Sequence, residues 1–140
     1  MRTRPPLLVS AGIIHHRGQV LIGQRRKNDR HSLKWEFPGG KVEHGETPQE
    51  ALVRELWEEL RIRARVGGEL ARYEHDYPNG SRVHLLFFSV PAFNGEPSAC
   101  VFEQIRWVNL EALPTLDFVE GDLDFIRRLS RGEYNLRFSS

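Results

Sequence analysis

Residues 39–62 read GGKVEHGETPQEALVRELWEELRI, and their interpretation decides how the rest of the chain is read. A Gly-rich loop leads into a stretch whose signals predict a helix start: Thr47 as N-cap, Pro48 at the first helical position and Glu50 completing a capping box. Leu52, Val53, Leu56 and Leu60 fall within about 100° of arc, which predicts a core-facing stripe. Glu55, Glu58 and Glu59 are spaced i, i+3, i+4 on a neighbouring arc, and the spacing predicts that their carboxylates converge. Ala51 beside them leaves that edge without a bulky shield. Carboxylates this close repel one another. Two readings fit: a solvated acidic face with Arg54, next to Glu55 and four residues before Glu58, as ion-pair partner, or a site for a hard cation. Oxygen-only ligands suit Mg2+ or Mn2+.

Working outward, residues 7–15 (LLVSAGIIH) form an apolar, β-branched run expected to be a buried strand. His16 to Gln19 is a turn, and residues 20–24 return as the second strand of a hairpin. Residues 25–34 are a polar, basic loop, and Trp35-Glu36-Phe37 a short strand halted by Pro38. Beyond the central helix, a strand is expected from Leu70 to Tyr77. It meets a hairpin turn at Pro78-Asn79-Gly80 and then the most strand-like run of the chain, Arg82 to Val90. Asn94 to Pro97 is a further turn, Ile105 to Asn109 a last strand, and Glu111 to Thr115 a loop or single turn. Apolar residues at 123, 125, 126 and 129 predict an amphipathic helix over Glu120 to Arg131. The fold class is α/β of the α+β kind, a mixed, partly antiparallel sheet with helices packed on it. Strict βαβ alternation is absent, which argues against a Rossmann-like sheet.

Residues 1–140 read as one domain. Of these, 39% are hydrophobic and 28% charged, an ordinary globular balance. A net charge of +1 provides no strong field for duplex nucleic acid or a membrane surface. The N-terminal run after Arg2 and Arg4 is broken by Ser10 and Gly12 and is too short to span a membrane. Cys100, the single cysteine, rules out an internal disulfide and fits a cytoplasmic location.

The central stretch resembles the Nudix box, Gly-x5-Glu-x7-Arg-Glu-U-x-Glu-Glu-x-Gly-U with U aliphatic, matched here by Gly40, Glu46, Arg54, Glu55, Leu56, Glu58, Glu59 and Ile62. One position departs: the family's last glycine is Arg61. A left-handed conformation there costs a non-Gly residue roughly 1 kcal/mol and touches only the helix end. The flanking WEFPGGKVE is similar to the MutT branch, with likeness of arrangement from about residue 7 to residue 130. The resemblance implies an α/β/α sandwich, dependence on Mg2+, and cleavage of a nucleoside diphosphate linked to another moiety. Within that branch it implies that a nucleoside triphosphate is hydrolysed to monophosphate and pyrophosphate. The first substrate expected is 8-oxo-dGTP; CTP or a methylated cytidine nucleotide is the alternative.

By the same resemblance, the Gly40 carbonyl, Glu55, Glu58, Glu59 and Glu103 hold the metal, and Glu55 or Glu103 is the general base. Glu46 orients Arg54, and Arg54 holds the carboxylates. Arg26 and Arg82 contact phosphate or sugar, and Phe37, with Trp35 beside it, packs on the base. Asp122 stands where the MutT branch places a purine-reading asparagine. An ionised aspartate only accepts hydrogen bonds, so it could not donate to a purine 6-oxo group, which weakens the expectation of 8-oxo-dGTP. A second enzyme reading is hydrolysis of a nucleotide sugar, dinucleoside polyphosphate or capped RNA; the short sequence shows no large insertion to hold a second bulky moiety, which counts moderately against it. A non-catalytic nucleotide-binding module would tend to lose the box carboxylates, all of which are present. Either a monomer or a homodimer is compatible with these features.

Overall fold

A computed structural model describes residues 5–136; Arg2 and Arg4 lie outside the described residues. The sheet is built around β1 (Leu7–His16), the apolar run expected to be a buried strand. Along one edge, β1 pairs in parallel with β7 (Arg82–Val90) from Leu7–Val83 to Ile14–Val90. The other edge is shared. Val9–Ala11 pair antiparallel with β4 (Gly39–Lys41), and His15–His16 with β2 (Gln19–Gln24). Between these pairings, the Gly12 N–H donates to the Pro38 carbonyl at 2.8 Å. β2 diverges from β1 and pairs over its length with β9 (Gln104–Asn109), and at Gly23–Gln24 with β3 (Trp35–Glu36). β6 (Glu69–Asp76) closes the far side against β7. Residues 35–41 therefore fill the split between β1 and β2, and this places Glu36, Gly39 and Gly40 below the central helix. β5 (Arg63–Arg65) and β8 (Ala92–Asn94) form a separate ribbon.

Side chains alternate across the sheet, and the two faces bury different cores. Ile14, Leu21, Leu86 and Phe88 pack with Leu52, Leu56 and Leu60 of α1 (Pro48–Leu60). Ile13, Ile22 and Phe87 pack with Phe125, Ile126 and Leu129 of α2 (Leu123–Ser130), the Phe87 and Phe125 rings stacked with centroids 4.0 Å apart. The expected helix–sheet–helix sandwich with a mixed sheet is observed.

α1 begins as its sequence indicates. The Glu50 N–H donates to Thr47 Oγ1 at 3.1 Å, and the Thr47 N–H to Glu50 Oε1 at 2.9 Å. It ends at Arg61 in the left-handed region (φ 58°, ψ 35°), the Arg61 N–H donating to the Trp57 carbonyl at 2.9 Å. The Arg61 guanidinium lies 5.1 Å from the Trp57 ring centroid, a cation–π contact that offsets part of the backbone cost.

Four local expectations are corrected. Val53, at the outer edge of the apolar arc, is 41% exposed, and Ala51 is buried in its place. The Gly39–Lys41 loop is a strand, because its backbone completes the edge of β1. Leu110–Thr115 is a 3-10 helix. The closing helix starts at Leu123, after a 3-10 turn at Glu120–Asp122, and Leu123 is half exposed.

Candidate active site

Arg54, on the outer side of α1, is the hub of the Gly39–Ile62 stretch. Its Nε donates to Glu46 Oε2 at 2.7 Å and its Nη2 to Glu46 Oε1 at 3.0 Å, a bidentate fork. Nη2 also reaches the Lys41 carbonyl at 3.1 Å, while Nη1 reaches Glu55 at 3.0 Å and Glu58 at 3.3 Å. The guanidinium beside Glu46 holds that carboxyl down at about 2. One side chain thus ties the loop before the helix, the β4 backbone and two helix carboxylates together.

Both glycines of the stretch are required by close approach. A Cβ on Gly39 would lie 2.0 Å from the Ser10 carbonyl oxygen. One on Gly40 would lie 2.4 Å from the Glu55 carboxyl carbon, so the missing side chain is what admits that carboxylate against the strand. Gly40→Ala is therefore expected to push Glu55 aside and lower kcat by about a hundredfold, a misplacement effect of roughly 3 kcal/mol on the barrier. Steady-state kinetics beside a thermal melt check this: the loss of kcat should exceed any change explained by unfolding.

Glu59 points inward and accepts from the Gly39 N–H at 3.2 Å. Burial raises its proton affinity far above the usual carboxylate range, and the neighbouring Glu36 and Glu55 raise it further. Of the three helix glutamates, Glu55 and Glu59 lie against each other, while Glu58 turns outward to Arg54. Among the described residues, no three His, Cys, Asp or Glu side chains stand close enough together to hold a metal ion. Sharing an arc fixes where side chains start but not where they end: Glu58 is 53% exposed and turned to Arg54, whereas Glu59 turns under the loop. The donor set nevertheless suits a hard cation. Its atoms are oxygens, the Gly40 backbone lies against the Glu55 carboxylate, and Glu59 is crowded by negative charge that a cation would relieve.

Asp122 lies on the α2 side, 5% exposed in the turn before that helix. Burial and then the nearby Glu36 push it up to about 8, against the opposing effect of the Phe37 backbone N–H. Burial thus favours its protonated form, which can donate as well as accept, whereas the ionised form only accepts. Phe37 is a core residue, 3% exposed among Phe87, Phe118 and Phe125, and presents no open face to a base. Trp35 is likewise buried, its backbone N–H donating to the Asp117 carbonyl at 2.8 Å. Arg26 donates to the Cys100 carbonyl at 3.1 Å and lines a cleft of about 500 Å3 with Lys27, Phe102 and Glu103. Arg82 is held by Asp76 at 3.0 Å beside the turn that joins β6 to β7. The structure thus brings Gly40, Glu46, Arg54, Glu55, Glu58 and Glu59 together, and places Arg26 and Glu103 on one separate cleft.

Residues 6–129 match the NUDIX domain family. The chain belongs to the Nudix family. This Nudix chain is 35% identical over 126 residues to the 8-oxo-dGTP diphosphatase of Escherichia coli K12, covering 89% of this chain and 97% of that protein. It is 40% identical over 103 residues to the CTP pyrophosphohydrolase of the same organism, covering 74% and 76%. A solved structure of MutT, from work on the Aliivibrio salmonicida and Vibrio cholerae proteins, is 31% identical. It covers 91% of this chain and 99% of that chain with a TM-score of 0.75. The chain is thus a MutT-like Nudix hydrolase, an enzyme of phosphoanhydride bonds.

The sequence reading of this Nudix hydrolase missed Glu36 and Arg25. Glu36 sits between the helix glutamates and Asp122 and acts on the proton affinity of both Glu59 and Asp122. Arg25, not Arg26, holds it, with Nη1 on Glu36 Oε1 at 2.9 Å and Nη2 on Asp29 Oδ1 at 2.7 Å. A signal existed in the sequence: an acidic residue between two aromatics, in a strand too short to be solvated on both sides.

Proposed function

We propose that this Nudix hydrolase is a Mg2+-dependent nucleoside triphosphate pyrophosphohydrolase, turning NTP and water into NMP and pyrophosphate, and that it acts on the nucleotide pool of the cytoplasm as one domain. The observation that supports this best is the carboxylate set of α1, locked by the Arg54–Glu46 fork against the Gly40 backbone and crowded enough to hold a proton on Glu59. The Gly40 carbonyl, Glu55, Glu58, Glu59 and Glu103 would hold Mg2+, with Mn2+ as substitute. Bound there, the ion would supply charge neutralisation for the triphosphate and a template for in-line attack. Glu55 already gives an oxygen to Arg54. Glu103, exposed beside Arg26, is the freer carboxylate to take the proton of the attacking water. Arg26 and Arg82 bind phosphate or sugar.

Asp122 supports an oxidised purine as substrate. Protonated, it donates to the 6-oxo group while its other oxygen accepts, and the relative named 8-oxo-dGTP diphosphatase agrees with that choice. The second reading is a cytidine nucleotide, favoured by the relative named CTP pyrophosphohydrolase. A panel of oxidised, methylated and ordinary nucleotides, assayed with Mg2+ and coupled inorganic pyrophosphatase, tests both. The expected result is the highest kcat/KM for 8-oxo-dGTP; a preference for CTP selects the second reading, and no turnover of any nucleotide overturns both.

Asp122 also sets a pH dependence. Above about pH 8 it loses its proton and its donor capacity, so kcat/KM for 8-oxo-dGTP should fall there. Asp122→Asn keeps a donor at every pH and should flatten that limb. A pH–rate profile of the two proteins on the same substrate checks this; parallel profiles would remove Asp122 from base reading.

A further inference from the structure

The side of α1 away from the glutamates carries a surface that hydrolysis does not use. Trp57 lies roughly 160° round the helix from Glu55, at 100° per residue. It is 38% exposed, with the guanidinium groups of Arg63 and Arg61 at 4.5 and 5.1 Å from its ring centroid. Arg63 and Arg65 point to one face of β5 because Ala64 between them packs inward with the α1 core. At about 3.3 Å per residue, their backbones stand roughly 6.6 Å apart. Across the ribbon they face Asn94 and Ala92, so no bulky side chain blocks them, and a depression of about 380 Å3 lies over this face.

The charge on this face is uncompensated. Arg25, Arg54, Arg72, Arg82 and Arg128 each have a carboxylate partner. Among the described residues, no carboxylate lies within ion-pair distance of Arg61, Arg63 or Arg65. Of the nearby acids, Glu58 is taken by Arg54, and Glu96 is exposed in the turn after β8. Two guanidinium groups on one exposed indole, with Arg65 two residues further along the strand, repel one another, and a polyanion with flat aromatic groups would relieve the repulsion and use the ring.

We infer that this face binds single-stranded nucleic acid, with Arg61, Arg63 and Arg65 meeting successive phosphates and Trp57 stacking on a base. The strand-like spacing of Arg63 and Arg65 suits an extended backbone. Inorganic polyphosphate would satisfy the arginines but leave Trp57 unused, and a duplex keeps its bases out of the indole's reach. The surface is separate from the carboxylate site, so the inference holds or fails independently of the hydrolytic reading.

The test is fluorescence anisotropy of a fluorescein-labelled 20-nucleotide oligo(dT) with the full chain, without Mg2+, from 50 to 200 mM KCl. Binding is expected in the micromolar range, with a slope of log K against log salt of about −2 for three phosphate contacts. Arg63→Glu with Arg65→Glu should weaken binding at least thirtyfold at 50 mM salt. Trp57→Leu should weaken it about tenfold without changing the salt slope, and Trp57→Phe should restore most of it. Melting temperatures establish that the variants are folded, and nucleotide hydrolysis should be unchanged in all of them. Absence of binding by the wild type at 100 μM protein overturns the inference. So does equal binding by the double charge reversal, or equally tight binding of a 20-base-pair duplex. Displacement of the oligonucleotide by polyphosphate of equal charge, with the same potency from wild type and Trp57→Leu, reveals a simple anion sink and overturns it too.

Discussion

Replacing Glu58 by Gln lowers kcat about a thousandfold, roughly 4 kcal/mol of transition-state stabilisation, while leaving the fold in place. The two halves of this result come from different facts. The Glu58 side chain is 53% exposed and its hydrogen bond to Arg54, at 3.3 Å, is the weakest that guanidinium makes. An exposed pair of this kind contributes at most about 1 kcal/mol, so the melting temperature should move by no more than about 4 °C. Glutamine keeps shape and hydrogen-bonding reach but removes the charge that a divalent cation needs. Rapid-quench or steady-state kinetics with a parallel melt separate the two quantities. A nucleotide sensor on the same fold would have no turnover to lose and would change only in binding.

Adding Mg2+ at a hundred times its dissociation constant raises the melting temperature by about 5–10 °C at pH 8, equivalent to about 2.7 kcal/mol, and by much less at pH 6. The sign follows from proton uptake. Glu59 and Asp122 both have their proton affinity raised in the folded chain, by burial first and by neighbouring carboxylates second. Between their ordinary carboxylate range and the raised folded values, the native state binds more protons than the unfolded state. Stability of the metal-free protein therefore falls as pH rises through that window. A cation on the Glu59 site reverses the penalty because it competes with the proton, and its affinity should rise with pH by up to tenfold per unit. Glu59→Gln provides the control: the metal-free variant should lose the Glu59 share of the decline with pH and keep that of Asp122, and Mg2+ should no longer raise its melting temperature. Differential scanning calorimetry across pH 5–9 measures both effects. A Mg2+ stabilisation independent of pH would place the ion away from Glu59.

What could be read from the sequence divides along physical lines. The start and end of α1 were legible because capping is local: Thr47, Pro48, Glu50 and Arg61 act within one turn of themselves. The strands Leu7–His16 and Arg82–Val90 were legible because each buries enough apolar length to declare itself. β4, β5 and β8 were not, since three-residue strands exist only by virtue of the partners they pair with. The motif residues Gly40, Glu46, Arg54, Glu55, Glu58 and Glu59 were all recognised, yet their arrangement was only half foreseen. Helical periodicity brought their backbones to one side, but rotamers chosen by Arg54 and by the Gly39 N–H sent Glu58 and Glu59 apart. Phe37 and Asp122 show the same limit. Whether an aromatic ring faces a ligand or the core, and whether a buried carboxyl keeps its proton, depends on residues distant in sequence: Phe87, Phe118 and Phe125 for the first, Glu36 for the second.

The most direct test of the central claim is the identity of the products. 8-oxo-dGTP incubated with the purified protein and Mg2+, and followed by phosphorus NMR or ion-pair chromatography, should yield 8-oxo-dGMP and pyrophosphate in equal amounts, with no orthophosphate. Release of orthophosphate with 8-oxo-dGDP, or no turnover of this or any other nucleoside triphosphate, would contradict it.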